Sequence, residues 1–418
     1  MIILELNEFN PDLLAKYADK LNLLAIQEVL SFTHTEITTD DTQERYGLDP
    51  WVQWVNLHTG KTKSQHNIEH LSDIHKLSES IPQIWEHVHD KYGVSFNVWG
   101  AMNASTRNQG DNCSFFPDPW TLGVDAHPNN INQLLSLPRY YAKNYLNLLQ
   151  LKGLKAFLAT SLYLLKPGNI LNTLKLVPQA IAATLNTGLN SNLLFTLFDR
   201  LTGDLFLRHA QAGQLNILFL NSVAHLQHNY WTDEENNKDI QLCLKSLDRL
   251  LKKVLEEHPK EPLILINAFR QIQSYDKKQY LYRQKDTEEF LVKAGIKHNS
   301  IKQLMTNDAH LAFTNLDDLR FAHQQLQEST VNNKPCFHTE IDEASLNLFF
   351  QFKIWDDLPE SSNMTINGRT IPFFEIYSKV VRRTGSHINV GDAFHRGVQL
   401  PEILPNHRFF ENIDQHFG

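Results

Sequence analysis

One short apolar run, Leu215–Leu220 (LNILFL), constrains the fold more than any other stretch of the chain. A run of this length and composition is typical of a buried strand in a parallel sheet. The polar segment 221–231 (NSVAHLQHNYW) begins where the strand ends. Ligands of open α/β sheets bind beyond the carboxyl ends of the strands. We therefore expect a binding site at this segment.

Two histidines follow this predicted strand. His225 and His228 are three positions apart, so on a helix they share a face. Such a pair could hold one ion or one anionic substrate. The chain contains 20 histidines, however. A histidine pair that only packs against or caps the helix is therefore the alternative.

Other apolar stretches predict further strands of the same sheet. Ile2–Leu6 opens the chain, and residues 94–100 and 262–266 carry similar runs. The stretch 240–258 has leucines at helical spacing and connects Leu215–Leu220 to the strand at 262–266. Strand, helix and strand in this order form a right-handed parallel unit. The sequence predicts an α/β fold, with a mostly parallel sheet sandwiched by helices.

The remaining segments divide the chain into predicted domains. Residues 131–210 have a helical pattern without a clear strand, which predicts a helical cap. Residues 285–355 alternate between helix and strand patterns, which predicts a small α+β insertion. The α/β core domain then consists of residues 1–130, 211–284 and 356–418.

An apolar segment at residues 151–166 (LKGLKAFLATSLYLLK) has lysines near both ends. It is too short to span a bilayer. It suits a lid over the site, a buried helix, or a helix that lies on a membrane surface. The Pro167-Gly168 turn and the helical patterns that follow favour the first two interpretations. A peripheral membrane contact through 151–166 is the alternative.

Composition limits the class of protein. The chain has 418 residues, of which 42% are hydrophobic and 21% charged, as in ordinary globular proteins. Its net charge of −8 gives no support for a nucleic-acid partner. Three scattered cysteines, Cys113, Cys243 and Cys336, indicate a reducing compartment. The first residues lack the basic segment of a signal peptide. We therefore expect a cytoplasmic protein.

The segment His58-Thr59-Gly60-Lys61 suggests a hydroxyl nucleophile. A threonine at a sharp glycine turn beside a lysine suits a nucleophile or an anion-binding turn, and a helix N-terminus can follow it. Thr59 is the candidate nucleophile, and Lys61 and His66 are candidates for substrate binding. An ordinary Thr-Gly turn is the alternative.

Polar side chains at the ends of other predicted strands and in later loops complete the candidate site. Two prolines around Asp118 could hold its carboxylate rigidly, although a rigid turn is the alternative. A glycine-containing segment near the C-terminus presents His387 and His395 from a loop. The remaining candidates follow predicted strands and are Asn7, Glu8, Asn103, Arg270 and Gln271.

The order of these segments resembles the alkaline phosphatase superfamily, on its phosphodiesterase and nucleotide pyrophosphatase side. The first strand of that family ends in an Asp-Gly pair, which Asn7-Glu8 matches here. The family nucleophile is a threonine or serine that opens a helix, and HTGK is similar, which points to Thr59. The resemblance covers most of the chain in order, except for the two inserted segments.

Two later motifs extend the resemblance. The family motif of aspartate, three residues, histidine, an aromatic residue and tryptophan is similar to AHLQHNYW, in which His228 falls on the histidine. The late Gly-x-His with a glycine four residues on is similar to Gly385-Ser386-His387 and Gly391. Several ligand positions differ from the family. The residues that stand in place of Asp, Asp, Asp and His are Asn7, Ala224, Ala268 and Phe269.

These substitutions imply that the two-metal site of the family does not form. His228 and His387, with His225 as a further option, could instead hold one zinc or manganese ion. Glu8 or Asp118 would add an oxygen ligand. Metal-free chemistry is a second possibility, in which His225 or His228 acts as a base. Arg270 or Lys61 would then hold an anion.

The resemblance implies a hydrolase or transferase that acts on a phosphate ester, with sulfate esters as the second choice. In this mechanism Thr59 attacks or positions the ester and His225 transfers a proton. The apolar cap suggests a glycan or a lipid-linked substrate. The alternative is a catalytically silent phosphatase-like protein that binds a partner or a sugar phosphate. Clustered titratable groups favour the enzyme, and the missing carboxylates favour the binding protein.

Overall fold

The structure is a computed structural model that describes residues 1–39, 48–144, 151–234, 236–304 and 307–418. Its strands, in chain order, are β1 Ile2–Leu6, β2 Thr33–Thr38, β3 Phe96–Ala101, β4 Ser114–Pro117, β5 Leu215–Leu220, β6 Leu263–Ile266, β7 Arg270–Gln273, β8 Gln279–Gln284, β9 Ser300–Gln303, β10 Asp308–Ala312, β11 Thr330–Val331, β12 Lys334–Pro335, β13 Phe337–Asp342, β14 Asn347–Phe352, β15 Asn363–Ile366, β16 Arg369–Pro372, β17 Tyr377–Arg383, β18 Gly385–Ile388, β19 Val390–Arg396 and β20 Ile403–Pro405.

The α-helices, in chain order, are α1 Pro11–Leu21, α2 Leu24–Leu30, α3 Pro50–Thr59, α4 Lys63–His66, α5 Ile84–Tyr92, α6 Asn132–Asn144, α7 Leu151–Leu164, α8 Ile170–Thr187, α9 Ser191–His209, α10 Ser222–Asn229, α11 Lys238–Glu257, α12 Thr287–Ala294, α13 Leu316–Glu328, α14 Phe373–Ile376 and α15 Phe409–Phe417. No helix in the described ranges is long and apolar enough to cross a membrane.

The described residues fall into two compact units. Those of the larger unit lie within Met1–Tyr141, Leu149–Ser274 and Gly385–Gly418. Those of the smaller unit lie within Ala142–Leu148 and Tyr275–Thr384. The helices α6 to α9 occupy the interval predicted as a helical cap, and α9 packs Leu205, Phe206 and Leu207 into the main core of the larger unit. The smaller unit extends beyond the predicted insertion at both ends.

A mostly parallel sheet forms the centre of the larger unit, as predicted. Among the described residues its strand order is β20-β2-β19-β6-β1-β5-β3-β4. β1 pairs in parallel with β5 and with β6, and β3 pairs in parallel with β5 and β4. β19 is antiparallel to β2 and β6. Helices flank the sheet, and the α/β architecture predicted from the apolar runs is confirmed.

The central strand β1 explains why several polar loops meet. Every residue of β1 is buried, and Leu6 pairs with Leu220 at the end of β5. The helix α11 between β5 and β6 buries a stripe that includes Leu247, Leu250 and Val254. Because β1, β5 and β6 run in parallel, their carboxyl ends lie at the same edge of the sheet.

The first helix begins as its sequence predicts. Asn10 is the N-cap of α1, and its side-chain oxygen accepts a hydrogen bond from the Leu13 amide at 3.1 Å. Pro11 occupies the first turn, where its missing N–H has no helical partner to lose. The Asn10 side-chain amide donates to the Gln271 carbonyl at 2.8 Å. The cap therefore also fixes the segment that follows β6.

The smaller unit has an α+β architecture of its own. Its antiparallel sheet has the order β13-β14-β10-β9 within the described ranges. The predicted alternation of helix and strand is present, with α12 and α13 between the strands β8 to β14. Phe290, Phe337 and Phe350 are among its buried core residues. The aromatic core is what makes this segment a compact unit in its own right.

Candidate active site

The site begins at a strained turn at the end of β1. Glu8 has a φ of 54°, in the left-handed region that residues with a β-carbon rarely adopt. Two hydrogen bonds hold its carbonyl oxygen, one from the Gln227 side chain at 2.8 Å and one from the Gln271 amide at 3.1 Å. These partners fix the turn. They aim the Glu8 carboxylate, which is 2% exposed, into the edge of the sheet.

Three side chains converge at this turn. The Glu8 Oε2 atom lies 2.8 Å from His228 Nε2 and 3.0 Å from His387 Nε2. The two histidine nitrogens are 3.2 Å apart. Glu8, His228 and His387 form one of the groups of side chains in the described ranges whose spacing could hold a metal ion. We call these three residues the histidine–glutamate group.

A backbone carbonyl determines the tautomer of His387. The Nδ1 atom of His387 lies 2.7 Å from the Leu48 carbonyl oxygen. A carbonyl only accepts, so Nδ1 carries a hydrogen and donates it. In the neutral imidazole, Nε2 then presents a lone pair toward the Glu8 carboxylate. Two electron-rich atoms at this separation need a positive charge between or beside them, which a proton or a metal ion can supply.

Electrostatics keep Glu8 ionised. Burial raises the pKa of the Glu8 carboxyl, but the charges of His387 and His228 and their hydrogen bonds outweigh burial and hold this pKa well below its usual range. The Gln271 side-chain amide also donates to Glu8 Oε2. The carboxylate is therefore available as an anionic oxygen ligand at neutral pH.

Two glycines permit the close packing around His387. A β-carbon at Gly385 would lie 2.2 Å from Gln271 Oε1 and 2.7 Å from the Gln227 carbonyl. A β-carbon at Gly391 would lie 2.5 Å from Asn267 Oδ1. Glycine at these positions lets β18 and β19 approach α10 and the segment that follows β6. This close approach is the physical reason for the glycines that flank the late histidine.

His387 lies on a strand and not on the predicted loop. β18 pairs antiparallel with β7, and His387 lies opposite Gln271. His395 is also in a strand, β19, where it is buried with Nε2 3.2 Å from the Thr35 hydroxyl and Nδ1 3.1 Å from the Val398 carbonyl. The loop assignment is wrong for both residues because the C-terminal segment completes sheets started earlier in the chain.

The expectation that Thr59 opens a helix is wrong. Thr59 is the last residue of α3, because Gly60, at a φ of 66°, caps the C-terminus of this helix. The Thr59 hydroxyl is buried and donates to the Val55 carbonyl at 2.7 Å. The other end of α3 follows Leu48, which contacts His387. A ten-residue helix separates the two ends by roughly 14 Å.

His225 and His228 lie on one helix, α10, as expected, but they have different partners. His225 Nε2 lies 2.9 Å from the Ser191 hydroxyl, and its ring stacks on Phe195 with 4.1 Å between ring centroids. His228 contacts Glu8 and His387. Through Ser191 and Phe195, His225 joins α10 to α9.

Several other predicted site residues have structural partners. His66 Nε2 lies 2.7 Å from Asn56 Oδ1, and the Asn103 side chain donates to the Trp51 carbonyl at 3.0 Å. The Arg270 guanidinium lies 3.6 Å from the Asp392 carboxylate. Lys61 has a partly buried position after α3. None of these contacts joins the histidine–glutamate group.

Two further predicted residues do support the group. The Asn7 side-chain amide donates to Glu8 Oε1 at 3.2 Å and to Asn221 Oδ1 at 2.9 Å, and the Trp54 indole donates to Asn7 Oδ1. Gln271 contacts the Glu8 carboxylate directly. Sequence reasoning missed Gln227 and the Leu48 carbonyl. A backbone carbonyl leaves no signal in the residue pattern, whereas Gln227 could have been noted from its place next to His228.

The residues that differ from the resembled motifs pack in the interior of the protein. Ala224, Ala268 and Phe269 are buried, and the Phe269 ring lies edge-on to His387 with 4.8 Å between ring centroids. Asn267 accepts a hydrogen bond from the Asp392 amide at 2.7 Å and donates to the Phe9 carbonyl at 2.7 Å. These side chains join the strands that carry the site. They supply no carboxylate or imidazole for a second ion.

Asp118 is a buried carboxyl whose Oδ2 accepts a hydrogen bond from the Trp120 amide at 2.9 Å. It is not a member of the histidine–glutamate group, so its predicted role as an oxygen ligand is not supported. Burial raises the pKa of Asp118 to about 7. Burial also raises the pKa of Asp199, which caps α10 through the Ser222 amide, to about 6.

The raised pKa of Asp118 predicts a pH-dependent stability. Between the ordinary pKa of 3.8 and the folded value of about 7, the folded protein binds more protons at this site than the unfolded chain, so stability falls as pH rises. Asp118→Asn removes the ionisation and keeps an oxygen for the Trp120 amide. We expect the variant to be more stable than wild type by on the order of a few kcal/mol at pH 8. Urea denaturation should show this difference shrinking toward zero near pH 4, and a difference independent of pH would contradict the assignment.

No protein-family model matches the sequence, and no significant match was found among curated proteins. Among solved structures, the chain is similar to phosphonoacetate hydrolase from Sinorhizobium meliloti 1021 in complex with phosphonoacetate, at 12% identity over 99% of this chain and 95% of that chain, with a TM-score of 0.46. It is also similar to human ectonucleotide pyrophosphatase/phosphodiesterase 5, at 9% identity over 100% of this chain and 94% of that chain, with a TM-score of 0.44. These likenesses say nothing of activity or substrate.

The topology of the chain itself supports the resemblance inferred from its motifs. The loops after β1, β5 and β6 meet at one edge of a parallel sheet. The late histidine, His387, reaches the same edge and contacts Glu8 and His228. By this order of strand-end segments, the chain resembles a divergent member of the alkaline phosphatase superfamily in which several metal-ligand positions are substituted.

Proposed function

We propose that the chain binds one divalent metal ion through Glu8, His228 and His387 and acts on a phosphate ester. One observation carries the proposal: a buried carboxylate and two imidazole nitrogens converge on one point, with separations of 2.8, 3.0 and 3.2 Å. Ligands of one tetrahedral zinc ion lie roughly 3.3 Å apart, given metal–ligand distances near 2.0–2.1 Å. The three side chains therefore fit one ion after a small outward adjustment.

The surroundings of the ligands support the same proposal. A metal-binding histidine commonly donates its second ring N–H to a carbonyl or carboxylate, which orients the ring. The Leu48 carbonyl accepts this hydrogen bond from His387. The Gln271 side chain orients the Glu8 carboxylate in the same way. Two histidines and one carboxylate suit zinc, with manganese as the alternative.

A bound ion would supply Lewis acidity toward a phosphoryl oxygen and a lowered pKa of water. The residues of the chain hold and orient the ligands: Gln271 and Asn7 hold Glu8, and Leu48 holds His387. We assign no covalent step to Thr59, because its hydroxyl is bonded within α3. Water is then the nucleophile of the proposed reaction. A glycan or a lipid-linked phosphate ester stays the proposed substrate class.

We also propose that the protein works in a reducing compartment. Cys113, Cys243 and Cys336 are all buried free thiols. Burial raises the pKa of the Cys243 thiol to about 12. Such thiols behave as small apolar core residues and have little thiolate character at neutral pH.

Turnover of simple esters tests the proposed reaction. We expect the purified chain with added zinc or manganese to hydrolyse a nitrophenyl phosphate monoester or diester, and His228→Ala to lower kcat/KM by at least a hundredfold because a metal ligand is lost. Thr59→Val should retain turnover, since the structure gives its hydroxyl no part in the site. Loss of turnover in a folded Thr59→Val variant would restore Thr59 as the nucleophile. Metal binding without turnover of phosphate or sulfate esters would favour the silent binding protein.

A further inference from the structure

Helices α7 and α8 expose a large apolar surface. Of the 19 large hydrophobic side chains that are exposed in the described ranges, 12 lie between residues 151 and 189, with exposed fractions from 48% to 84%. Soluble proteins rarely expose apolar patches of this extent without a partner. We name these residues the hairpin face, and they are Leu151, Leu154, Phe157, Leu158, Leu162, Leu165, Leu171, Leu174, Val177, Ile181, Leu185 and Leu189.

The exposed residues recur at helical spacing, so each helix carries them as a stripe. On α7 the positions 151, 154, 158 and 162 are three or four residues apart, and on α8 the same holds for 174, 177, 181 and 185. The inward side of α7 is partly polar: the Thr160 hydroxyl donates to the Gln133 carbonyl and accepts from the Leu137 amide, both at 3.1 Å. The apolar stripe therefore faces outward, the reverse of an ordinary surface helix.

Side chains from other helices anchor the two helices in place. Arg208 of α9 donates to the Gly168 carbonyl at 2.6 Å and to Asn169 Oδ1 at 3.0 Å, at the turn between α7 and α8. Arg249 of α11 donates to Gln179 Oε1 at 3.0 Å in the middle of α8. The outward direction of the hairpin face is thus held by contacts within the larger unit.

The charge of this region is opposite to that of the whole chain. The sequence has no aspartate or glutamate between Asp125 and Asp199, although the chain has a net charge of −8. Lys152, Lys155 and Lys175 are exposed on the two helices. The basic residues of this interval are Arg139, Lys143, Lys152, Lys155, Lys166 and Lys175. An apolar face flanked by lysines is complementary to a surface that is apolar beneath and negatively charged at its boundary.

We propose that the hairpin face docks on the surface of an anionic lipid bilayer. No helix in the described part of the chain can cross a membrane, so α7 and α8 would lie in the interface, over lengths of roughly 21 and 27 Å. A second copy of the chain would also cover the apolar stripe, but it would bring the two sets of lysines together. The charge pattern favours lipid headgroups over self-association.

The hairpin adjoins the elements that carry the proposed metal site. α9 follows α8 directly, and its first residue, Ser191, contacts His225 on α10. α10 also carries His228. Docking would hold this part of the larger unit near the bilayer, which fits a lipid-linked substrate. The docking itself does not rest on the proposed metal chemistry.

Sedimentation with vesicles tests the proposal. We expect the full chain to bind phosphatidylcholine vesicles that contain phosphatidylserine, and to bind weakly to phosphatidylcholine alone. Leu154→Gln/Leu158→Gln/Leu174→Gln should weaken binding at least a hundredfold, because each leucine loses its transfer into an apolar phase. Lys152→Gln/Lys155→Gln/Lys175→Gln should weaken binding to the anionic vesicles roughly fivefold per lysine. A higher salt concentration should also weaken binding, because salt screens the lysine charges.

Two control variants show whether the loss of vesicle binding is specific to the hairpin face. Leu24→Gln/Val292→Gln/Ile403→Gln changes side chains that are 63%, 63% and 59% exposed outside the hairpin face, and it should leave binding unchanged. Glu8→Gln should also bind vesicles normally, which separates this proposal from the metal site. The proposal is overturned if monodisperse wild-type chain does not bind the anionic vesicles. It is also overturned if the leucine variant converts a dimer to a monomer and vesicle binding is unaffected.

Discussion

The substitutions Glu8→Gln, His228→Ala and His387→Ala are each expected to abolish the binding of about one equivalent of zinc or manganese by the purified chain. Each removes one of three donors that lie within 3.2 Å of one another. Loss of a residue that only orients a metal ligand weakens affinity ten- to a hundredfold, so loss of a ligand itself should exceed a hundredfold. Isothermal titration of metal-free protein measures both stoichiometry and affinity.

The matched control for metal binding is His225→Ala. His225 lies on the same helix as His228, but its imidazole contacts Ser191 and Phe195. This variant should keep full affinity. Metal at a hundred times its Kd should stabilise wild type and His225→Ala by about 2.7 kcal/mol, and should not stabilise the three ligand variants. Absence of metal binding by wild type, or equal loss in His225→Ala, would show that the histidine–glutamate group is not a metal site.

The largest effect on stability is expected at a buried pair beneath the site. Glu5 on β1 and His58 on α3 are each 1% exposed, and Glu5 Oε1 lies 2.8 Å from His58 Nε2. His58→Leu leaves the Glu5 carboxylate without this partner. Removing one member of a buried pair costs about 3–5 kcal/mol, because the other member remains desolvated. We expect a loss of this size in the free energy of unfolding, measured in urea.

The double variant Glu5→Leu/His58→Leu separates pairing from packing. It replaces both polar groups with apolar side chains, so no desolvated carboxylate is left. We expect it to recover most of the stability that His58→Leu loses. The ring centroids of His58 and Trp85 are 5.1 Å apart. A double variant as unstable as the single one would show that the packing of the His58 ring matters more than its bond to Glu5.

The two candidate functions differ in what the site must do after a ligand binds. An enzyme needs an open position beside the ion and a nucleophile. A catalytically silent protein needs only to bind the ion or the phosphate. The helix-bonded hydroxyl of Thr59 removes the covalent nucleophile that the family resemblance implied. The proposed enzyme would therefore use water as its nucleophile, with the histidine–glutamate group to hold one ion.

The secondary structure of the core could be predicted because its signals are local. β1 and β5 have the predicted bounds, and α11 buries the stripe of leucines seen in the sequence. Asn10 caps α1 because its side chain reaches an amide three residues away. Each of these features depends on neighbours along the chain, so the residue pattern contains it.

The sequence by itself also selected Glu8, His228 and His387 as candidate ligands, but only the tertiary structure decided that they meet. Their contacts span sequence separations of 159 to 379 residues, over which no local pattern acts. Thr59 and Asp118 instead bond to backbone groups four and two residues away, and long-range packing gave His225 its partner Ser191. It placed the Leu48 carbonyl on His387, and a backbone atom has no residue type by which to be predicted. The sequence determined which chemical groups are present. The packing of the parallel strands determined which of these groups lie together at one site.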